Sequence, residues 1–61
     1  MKRKDLIKYL LRQGCIFIRE GANHSVFFNP LHHKTSTVPR HTEINDWLAK
    51  KICKDLGITA K

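Results

Sequence analysis

The spacing of apolar residues predicts an amphipathic helix near each end of the chain. Over residues 4–13 the apolar positions follow the spacing of a single helix face, and Gly14 suits the left-handed conformation in which many helices end. Over residues 44–56 apolar residues recur at every fourth position, which predicts a second helix. Asn45 is the expected N-cap of this helix, and Thr42 is the alternative.

Three short segments between these helices have the composition of β-strands. Residues 15–19 are rich in β-branched and aromatic side chains, and residues 20–23 contain the glycine and asparagine that turns favour. Residues 24–29 form a predicted second strand, and a proline-containing connection leads to a third strand over residues 34–38. Pro39 lacks a backbone donor and is expected to end that strand.

The order of these elements predicts an α+β fold with one domain spanning residues 1–61. In the predicted α-β-β-β-α arrangement, a three-stranded antiparallel sheet carries two helices on one face, because two helices can cover only one side of a sheet. The other face and the strand edges then stay open to a ligand or a partner. Double-stranded-RNA-binding domains share this element order, although element order alone does not assign a function.

The charge of the chain points to a class of partner. Twelve Lys and Arg residues against five Asp and Glu residues give a formal net charge of +7 and a pI near 9.9. Such a charge attracts polyanions over long distances and favours a nucleic-acid partner. A soluble basic domain, or a domain that binds an acidic protein, has the same composition.

The cysteines and the apolar runs indicate a cytoplasmic protein. Cys15 and Cys53 form neither a Cys-x-x-Cys pair nor a disulfide framework and are expected to be small buried residues. No apolar run approaches the roughly 18 residues that a membrane-spanning helix needs, so no membrane partner is expected. Trp47 is expected at the edge of the core, with a contact surface for a protein partner as the alternative.

Motifs for bound cofactors are absent from the sequence. It contains no P-loop, no dinucleotide-binding glycine pattern, no nucleophile elbow and no His-Glu-x-x-His helix, so no cofactor is expected. The carboxylates are scattered, which argues against a two-metal nuclease site. A zinc site built from histidines and a cysteine matches no common ligand spacing, and no metal is expected.

Histidine is the remaining candidate for chemistry, because histidine titrates near neutral pH and transfers protons. All four histidines lie between Asn23 and Thr42. RNA carries its own nucleophile, the 2′-hydroxyl, so a ribonuclease without a metal needs only a base, an acid and cations around the phosphate. His24 opens a predicted strand directly after a turn, where a side chain is held yet accessible; a structural strand histidine is the alternative. His32 and His33 are expected to be solvated loop residues.

Basic residues near the predicted turns and helix ends are candidates for contact with RNA phosphate or for auxiliary proton transfer. Arg40 and His41 precede the second helix, whose first N–H groups point outward, although capping and solvation explain them equally well. Cations at the start of the first helix oppose its dipole, which fits a bound anion, while solvated lysines are the simpler explanation. The expected contacts are Lys2, Arg3, Lys4, Lys34, Arg40 and His41.

Several short segments together carry a resemblance to a known family. They are the opening residues 1–8, the helix-to-strand junction at residues 13–17, the arginine, glycine and histidine turn at 19–24, the segment 37–41, and the closing residues 48–58. In this order they resemble the HicA family, also grouped as YcfA-like proteins, which are toxins of bacterial toxin–antitoxin pairs. The resemblance covers nearly the whole chain.

The resemblance implies a double-stranded-RNA-binding-like fold, cleavage of messenger RNA, and neutralisation by a HicB-type antitoxin. The toxin would then contact operator DNA only indirectly, through the antitoxin. The resemblance also implies that His24 is the catalytic residue. The family's turn commonly reads Gly-Ser-His, whereas this chain has Ala22 and Asn23 before the histidine. The departure keeps the histidine and bears on the choice of substrate.

The sequence therefore predicts a toxin that acts as a metal-independent endoribonuclease, with His24 as general acid or base in attack by the RNA 2′-hydroxyl. Two alternatives stay open. One is a non-catalytic RNA-binding module with the same charge and fold. The other is a degenerate toxin that acts only in complex with an antitoxin.

Overall fold

Two helices and a three-stranded antiparallel sheet form the fold, in the order that the sequence predicts. The computed structural model describes residues 1–59. Its elements are α1 (Arg3–Arg12), β1 (Ile16–Glu20), β2 (His24–Asn29), β3 (Lys34–Pro39) and α2 (Asp46–Asp55). The α-β-β-β-α prediction is confirmed. Within residues 1–59, neither helix has the length and apolar character that crossing a bilayer requires.

Local sequence signals set the ends of both helices. After α1 the chain turns at Gly14, whose φ of +89° costs glycine little, and the Cys15 N–H donates to the Leu10 carbonyl at 3.0 Å. At the start of α2 the Asn45 side chain accepts a hydrogen bond from the Leu48 N–H at 2.8 Å. Asn45 is therefore the N-cap, as predicted.

β2 is the central strand, and its side chains alternate between two environments. It pairs antiparallel with β1 on one side and with β3 on the other. Ser25, Phe27 and Asn29 are buried. On the other face His24 is exposed, and Val26 and Phe28 are half-buried. The two faces of the sheet therefore differ, and the helices cover the face that buries Phe27.

Both helices contribute to one apolar core on that face. The buried apolar residues are Leu6, Leu10, Cys15, Phe27, Val38, Ile44, Ala49, Ile52, Cys53 and Leu56. Fully burying a leucine or isoleucine side chain stabilises a fold by about 1.5–3 kcal/mol. Most of the stabilisation in this small chain therefore comes from the layer between the helices and the sheet, and the opposite face of the sheet is free for other contacts.

The third strand is one residue longer than predicted. Pro39 is the last residue of β3 and lies opposite His24. β3 is an edge strand paired only with β2, and an edge strand tolerates proline because the missing N–H need not break a ladder. Pro39 is therefore the last residue of the strand and not the first residue after it.

Apolar side chains are exposed on β1 and on α2. All five residues of β1 are exposed, and a register shift between Phe17 and Arg19 interrupts the pairing of this edge strand with β2. Trp47 is 71% exposed, so the expectation that it packs at the edge of the core is wrong. The first turn of α2 directs this residue to solvent while Ala49 enters the core.

A buried asparagine connects the sheet to the end of α2. Asn29 is 1% exposed, and its Nδ2 donates to the Leu56 carbonyl at 2.7 Å, while its Oδ1 accepts from the Leu31 N–H at 3.1 Å. The last carbonyls of a helix have no partner inside the helix, so a side chain that reaches them satisfies a group that burial would otherwise leave unpaired.

We expect Asn29→Ala to lower the free energy of unfolding by about 1–3 kcal/mol, because it leaves a buried carbonyl without a donor. Urea denaturation followed by circular dichroism measures the change. Asn45→Ala is the matched control, because it removes an exposed cap worth about 1 kcal/mol. An Asn29→Ala variant no less stable than wild type would contradict this role.

Both cysteines are buried free thiols in the core. Burial raises the pKa of the Cys15 thiol, and the nearby Cys53 raises it further. Burial also raises the pKa of the Cys53 thiol. Since the folded state holds these protons more tightly than the unfolded state, the thiols stabilise the fold below their ordinary value of 9.0 and cease to do so as the pH rises above it.

Native protein at pH 8 should therefore resist alkylation by iodoacetamide at both thiols, and urea should make both reactive. The free energy of unfolding should also fall between pH 8 and pH 10. A Cys15→Ala, Cys53→Ala double variant keeps the lysines that titrate in this range and should show a smaller fall. Equal pH dependence in the two proteins would rule out a thiol contribution.

Candidate functional site

His24 lies at one end of the sheet, where β2 begins. Its side chain is exposed, and its backbone carbonyl accepts a hydrogen bond from the Gly21 N–H at 2.7 Å. The imidazole lies against the Gly21 backbone: a Cβ added at Gly21 would be 3.2 Å from His24 Nε2. The same Cβ would be 3.1 Å from the His24 carbonyl oxygen, so a glycine at this position leaves room for both the backbone and the imidazole of His24.

The turn that precedes His24 is joined to the chain that leaves β3. The Arg40 N–H donates to the Asn23 carbonyl at 3.2 Å, and Pro39 lies opposite His24 in the sheet. The predicted residues His24, Arg40 and His41 are thus brought to the same end of the molecule by the pairing of β2 with β3. His41 is exposed there.

The start of α1 lies at the same end. The Arg3 N–H donates to the Thr42 carbonyl at 2.9 Å, and Lys2 forms an isolated antiparallel bridge with Glu43. This pairing places the cations at the start of α1 beside the segment that contains Arg40. Lys2 and Lys4 are exposed, while Arg3 is half-buried.

Arg19 belongs to this end of the sheet, although the sequence did not single it out as a site residue. It pairs with Val26 across the β1–β2 ladder, and Val26 shares the open face with His24. Diagonal neighbours on one sheet face are within reach of long side chains. Arg19 is exposed and adds a cation beside the histidine. The signal in the sequence was the β1–β2 hairpin, which fixes the register between the two strands.

Four polar side chains, from α1, β1, β2 and the segment after β3, meet on the covered side of this end. Arg3 Nη2 lies 2.7 Å from Ser25 Oγ, and Ser25 Oγ lies 2.6 Å from Glu20 Oε1. The other carboxylate oxygen of Glu20 is 3.1 Å from Arg40 Nη1. Arg3 Nε also donates to the Pro39 carbonyl at 2.9 Å. Sequence inspection missed Ser25 and Glu20, because each residue type is ordinary in a hairpin.

The remaining predicted cation and the other two histidines lie at the opposite end of the sheet. Lys34 pairs with Asn29, five residues along β2 from His24, which corresponds to roughly 17 Å. His33 packs its ring edge-on against Phe28, with 6.2 Å between the ring centroids. His32 lies against Gly57. The fold therefore separates these residues from His24.

The metal-binding potential and the main groove of the described residues bear on the site. Within residues 1–59, no group of three or more His, Cys, Asp or Glu side chains is arranged to hold a metal ion. A groove of about 400 Å³ runs between the helices and is lined by Lys2, Asp5, Tyr9, Asp46 and Lys50, among others. This groove contains side chains of both charges. The surface around His24 also carries Glu20, but there an imidazole lies together with several cations.

Comparison with known proteins adds a family assignment to this geometry. Comparison with curated proteins and with solved structures gave no match. A family model described as the HicA toxin of bacterial toxin–antitoxin systems matches residues 3–58, nearly the whole chain. That span contains every element of the fold and the turn that carries His24. The chain belongs to the HicA family of toxins from bacterial toxin–antitoxin systems.

Proposed function

We propose that this toxin is an endoribonuclease that cleaves messenger RNA, with His24 as its catalytic residue. The observation that carries the proposal is the placement of His24: an exposed imidazole beside Gly21 at the end of the sheet where Arg19, Arg40 and the start of α1 also lie. Membership of a toxin family supports an activity that damages the cell. The net charge of +7 supports a polyanionic substrate.

The chemistry is an attack by the RNA 2′-hydroxyl on the adjacent phosphorus. The O2′–P bond forms while the P–O5′ bond breaks, so one RNA fragment ends in a 2′,3′-cyclic phosphate and the other begins with a 5′-hydroxyl. A neutral His24 takes the proton from the 2′-hydroxyl while His41 or water gives one to the leaving 5′-oxygen, or a protonated His24 gives its proton to that oxygen while His41 or water takes the 2′-proton. Because the nucleophile belongs to the substrate, the reaction requires no metal-activated water, and DNA cannot react.

Cations around His24 stabilise the charge that develops on the phosphate in the transition state. Arg19, Arg40 and Lys4 are the side chains that we assign to phosphate contacts near the scissile bond, with Lys2 beside them. Arg3, which the sequence also suggested as a contact, has its guanidinium bonded to Ser25 Oγ and the Pro39 carbonyl. His41 is assigned to a phosphate contact or to the second proton transfer. Lys34 is assigned to RNA away from the scissile bond, since it lies at the other end of β2.

A HicB-type antitoxin is the proposed protein partner. A partner that is acidic where it meets this surface complements the charge of the chain, and covering the His24 end is the most direct way to stop cleavage. Operator DNA is then reached only through the antitoxin. Action on messenger RNA requires that the toxin be present in the cytoplasm.

His24→Ala should lower the rate of messenger RNA cleavage by about 10²–10⁴-fold, because it removes the proton-transfer group. The measurement is gel analysis of RNA incubated with purified protein in excess EDTA, with DNA of the same sequence as a second substrate. His32→Ala is the matched control, since it removes a histidine from the other end of the sheet. Equal cleavage by His24→Ala and wild type would remove His24 from the mechanism; RNA that is bound but left intact by wild type would favour the binding-module alternative.

Gly21→Ala should lower cleavage by about 10-fold with little change in RNA binding, because the new methyl group crowds the His24 carbonyl oxygen and imidazole, and a small misplacement of a catalytic group is costly. Single-turnover cleavage and fluorescence anisotropy with a labelled, uncleavable 2′-O-methyl RNA separate the two effects. Circular dichroism verifies the fold. A variant that cleaves as fast as wild type would show that the position of the imidazole over Gly21 is unimportant.

A further inference from the structure

The four polar side chains beside the His24 turn form a chain with only one consistent direction of hydrogen bonding. A guanidinium can only donate, so Ser25 Oγ accepts from Arg3 Nη2 at 2.7 Å. The single hydroxyl proton of Ser25 is then left for Glu20 Oε1 at 2.6 Å, which makes Glu20 the acceptor. Arg40 binds the second oxygen of the same carboxylate at 3.1 Å.

This arrangement alternates cation, hydroxyl, carboxylate and cation, so every contact is between complementary groups. Ser25 is 2% exposed, and both of its hydrogen bonds involve an ionised partner, which makes them shorter and stronger than bonds between neutral groups. Glu20 therefore holds β1 to β2 through Ser25, and β1 to the segment after β3 through Arg40. Arg3 adds α1 to the same cluster.

The cluster lies directly at the base of the turn that presents His24. Glu20 and Ser25 pair across the ladder. The next residue toward the turn on each strand is Gly21 and His24, and the Gly21 N–H donates to the His24 carbonyl at 2.7 Å. Arg3 Nε also holds the carbonyl of Pro39, the residue opposite His24. The backbone of His24 is thus braced from β1 on one side and from β3 on the other.

A carboxylate is an unfavourable group to place among cations that bind RNA. Glu20 neutralises part of the charge of Arg40 and repels phosphate, so on electrostatic grounds alone it weakens RNA binding. A structural role would explain the location of Glu20 among the basic residues, and its contacts with Ser25 and Arg40 indicate such a role.

We propose that Glu20 is a positioning residue: acting through Ser25 and Arg40, it fixes the turn that carries His24 and so holds the imidazole at the scissile phosphate. This inference rests on the proposed ribonuclease activity of His24. The Glu20 carboxylate favours cleavage by holding the turn and disfavours RNA binding by repelling phosphate. Removing it should therefore slow the cleavage step while leaving RNA binding unchanged or making it tighter. A general loss of structure would weaken both, and a purely electrostatic role would strengthen both.

The test compares Glu20→Ala and Glu20→Gln with Asp55→Asn, which removes a carboxylate from the exposed Lys51–Asp55 ion pair at the end of α2. Single-turnover cleavage gives the rate of the chemical step, and anisotropy with an uncleavable 2′-O-methyl RNA gives the Kd. Hydrogen exchange of the Gly21 amide, followed by NMR without RNA, reports whether the turn is held.

For Glu20→Ala we expect a cleavage rate about 10- to 100-fold below wild type, an equal or lower Kd, and faster exchange of the Gly21 amide. Glu20→Gln keeps an oxygen that accepts from Ser25, so it should fold and show a smaller loss of rate. Asp55→Asn should match wild type in all three measurements.

The inference fails if Glu20→Ala cleaves at the wild-type rate, or if rate and binding are lost in the same proportion in Glu20→Gln. Failure of the proposed function looks different, because His24→Ala would then cleave as fast as wild type. In that case hydrogen exchange of the Gly21 amide still tests whether Glu20 holds the turn, independently of any cleavage. Exchange as slow in Glu20→Ala as in wild type would show that it does not.

Discussion

One constraint shapes the whole molecule: a single central strand has to complete the core and present the functional face. A chain of 61 residues has material for one sheet and two helices, so only one face of that sheet is covered. β2 meets both demands by alternation, with Phe27 packed under the helices and His24 turned to solvent. The register of β2 therefore determines both stability and chemistry, and a shift by one residue would exchange the two faces.

Much of this fold could be predicted because its signals are local. The periodicity of apolar residues identified both helices, and the bounds predicted for β2 are those observed. Pro39 stays within β3 because no further strand pairs beyond it, which depends on the pairing of the sheet. The error at Trp47 is of another kind. Trp47 shares the helix face of Lys50, Lys51 and Lys54, so its exposure follows from the helical period of the sequence itself.

Some residues of the candidate site could be expected from the sequence, and others could not. The hairpins made it possible to expect His24 near Arg40 and His41 from the sequence, since β2 and β3 are joined by a short connection. The position of Arg3 was not foreseeable, because it depends on pairing between residues at the start of the chain and the segment around Thr42. Ser25 and Glu20 escaped attention for another reason: a serine on the buried face of a strand reveals its role only when its partners are known.

The exposed edge of β1 gives the strongly basic composition a second consequence. An unpaired edge bearing Ile16, Phe17 and Ile18 is a template on which another copy can add a strand. With a net charge of +7, copies repel one another before their edges meet. Dissolved ions shorten that repulsion to about 10 Å at 0.1 M salt, and a bound polyanion cancels it. Salt or a bound polyanion therefore weakens the repulsion that keeps this edge from pairing with another copy.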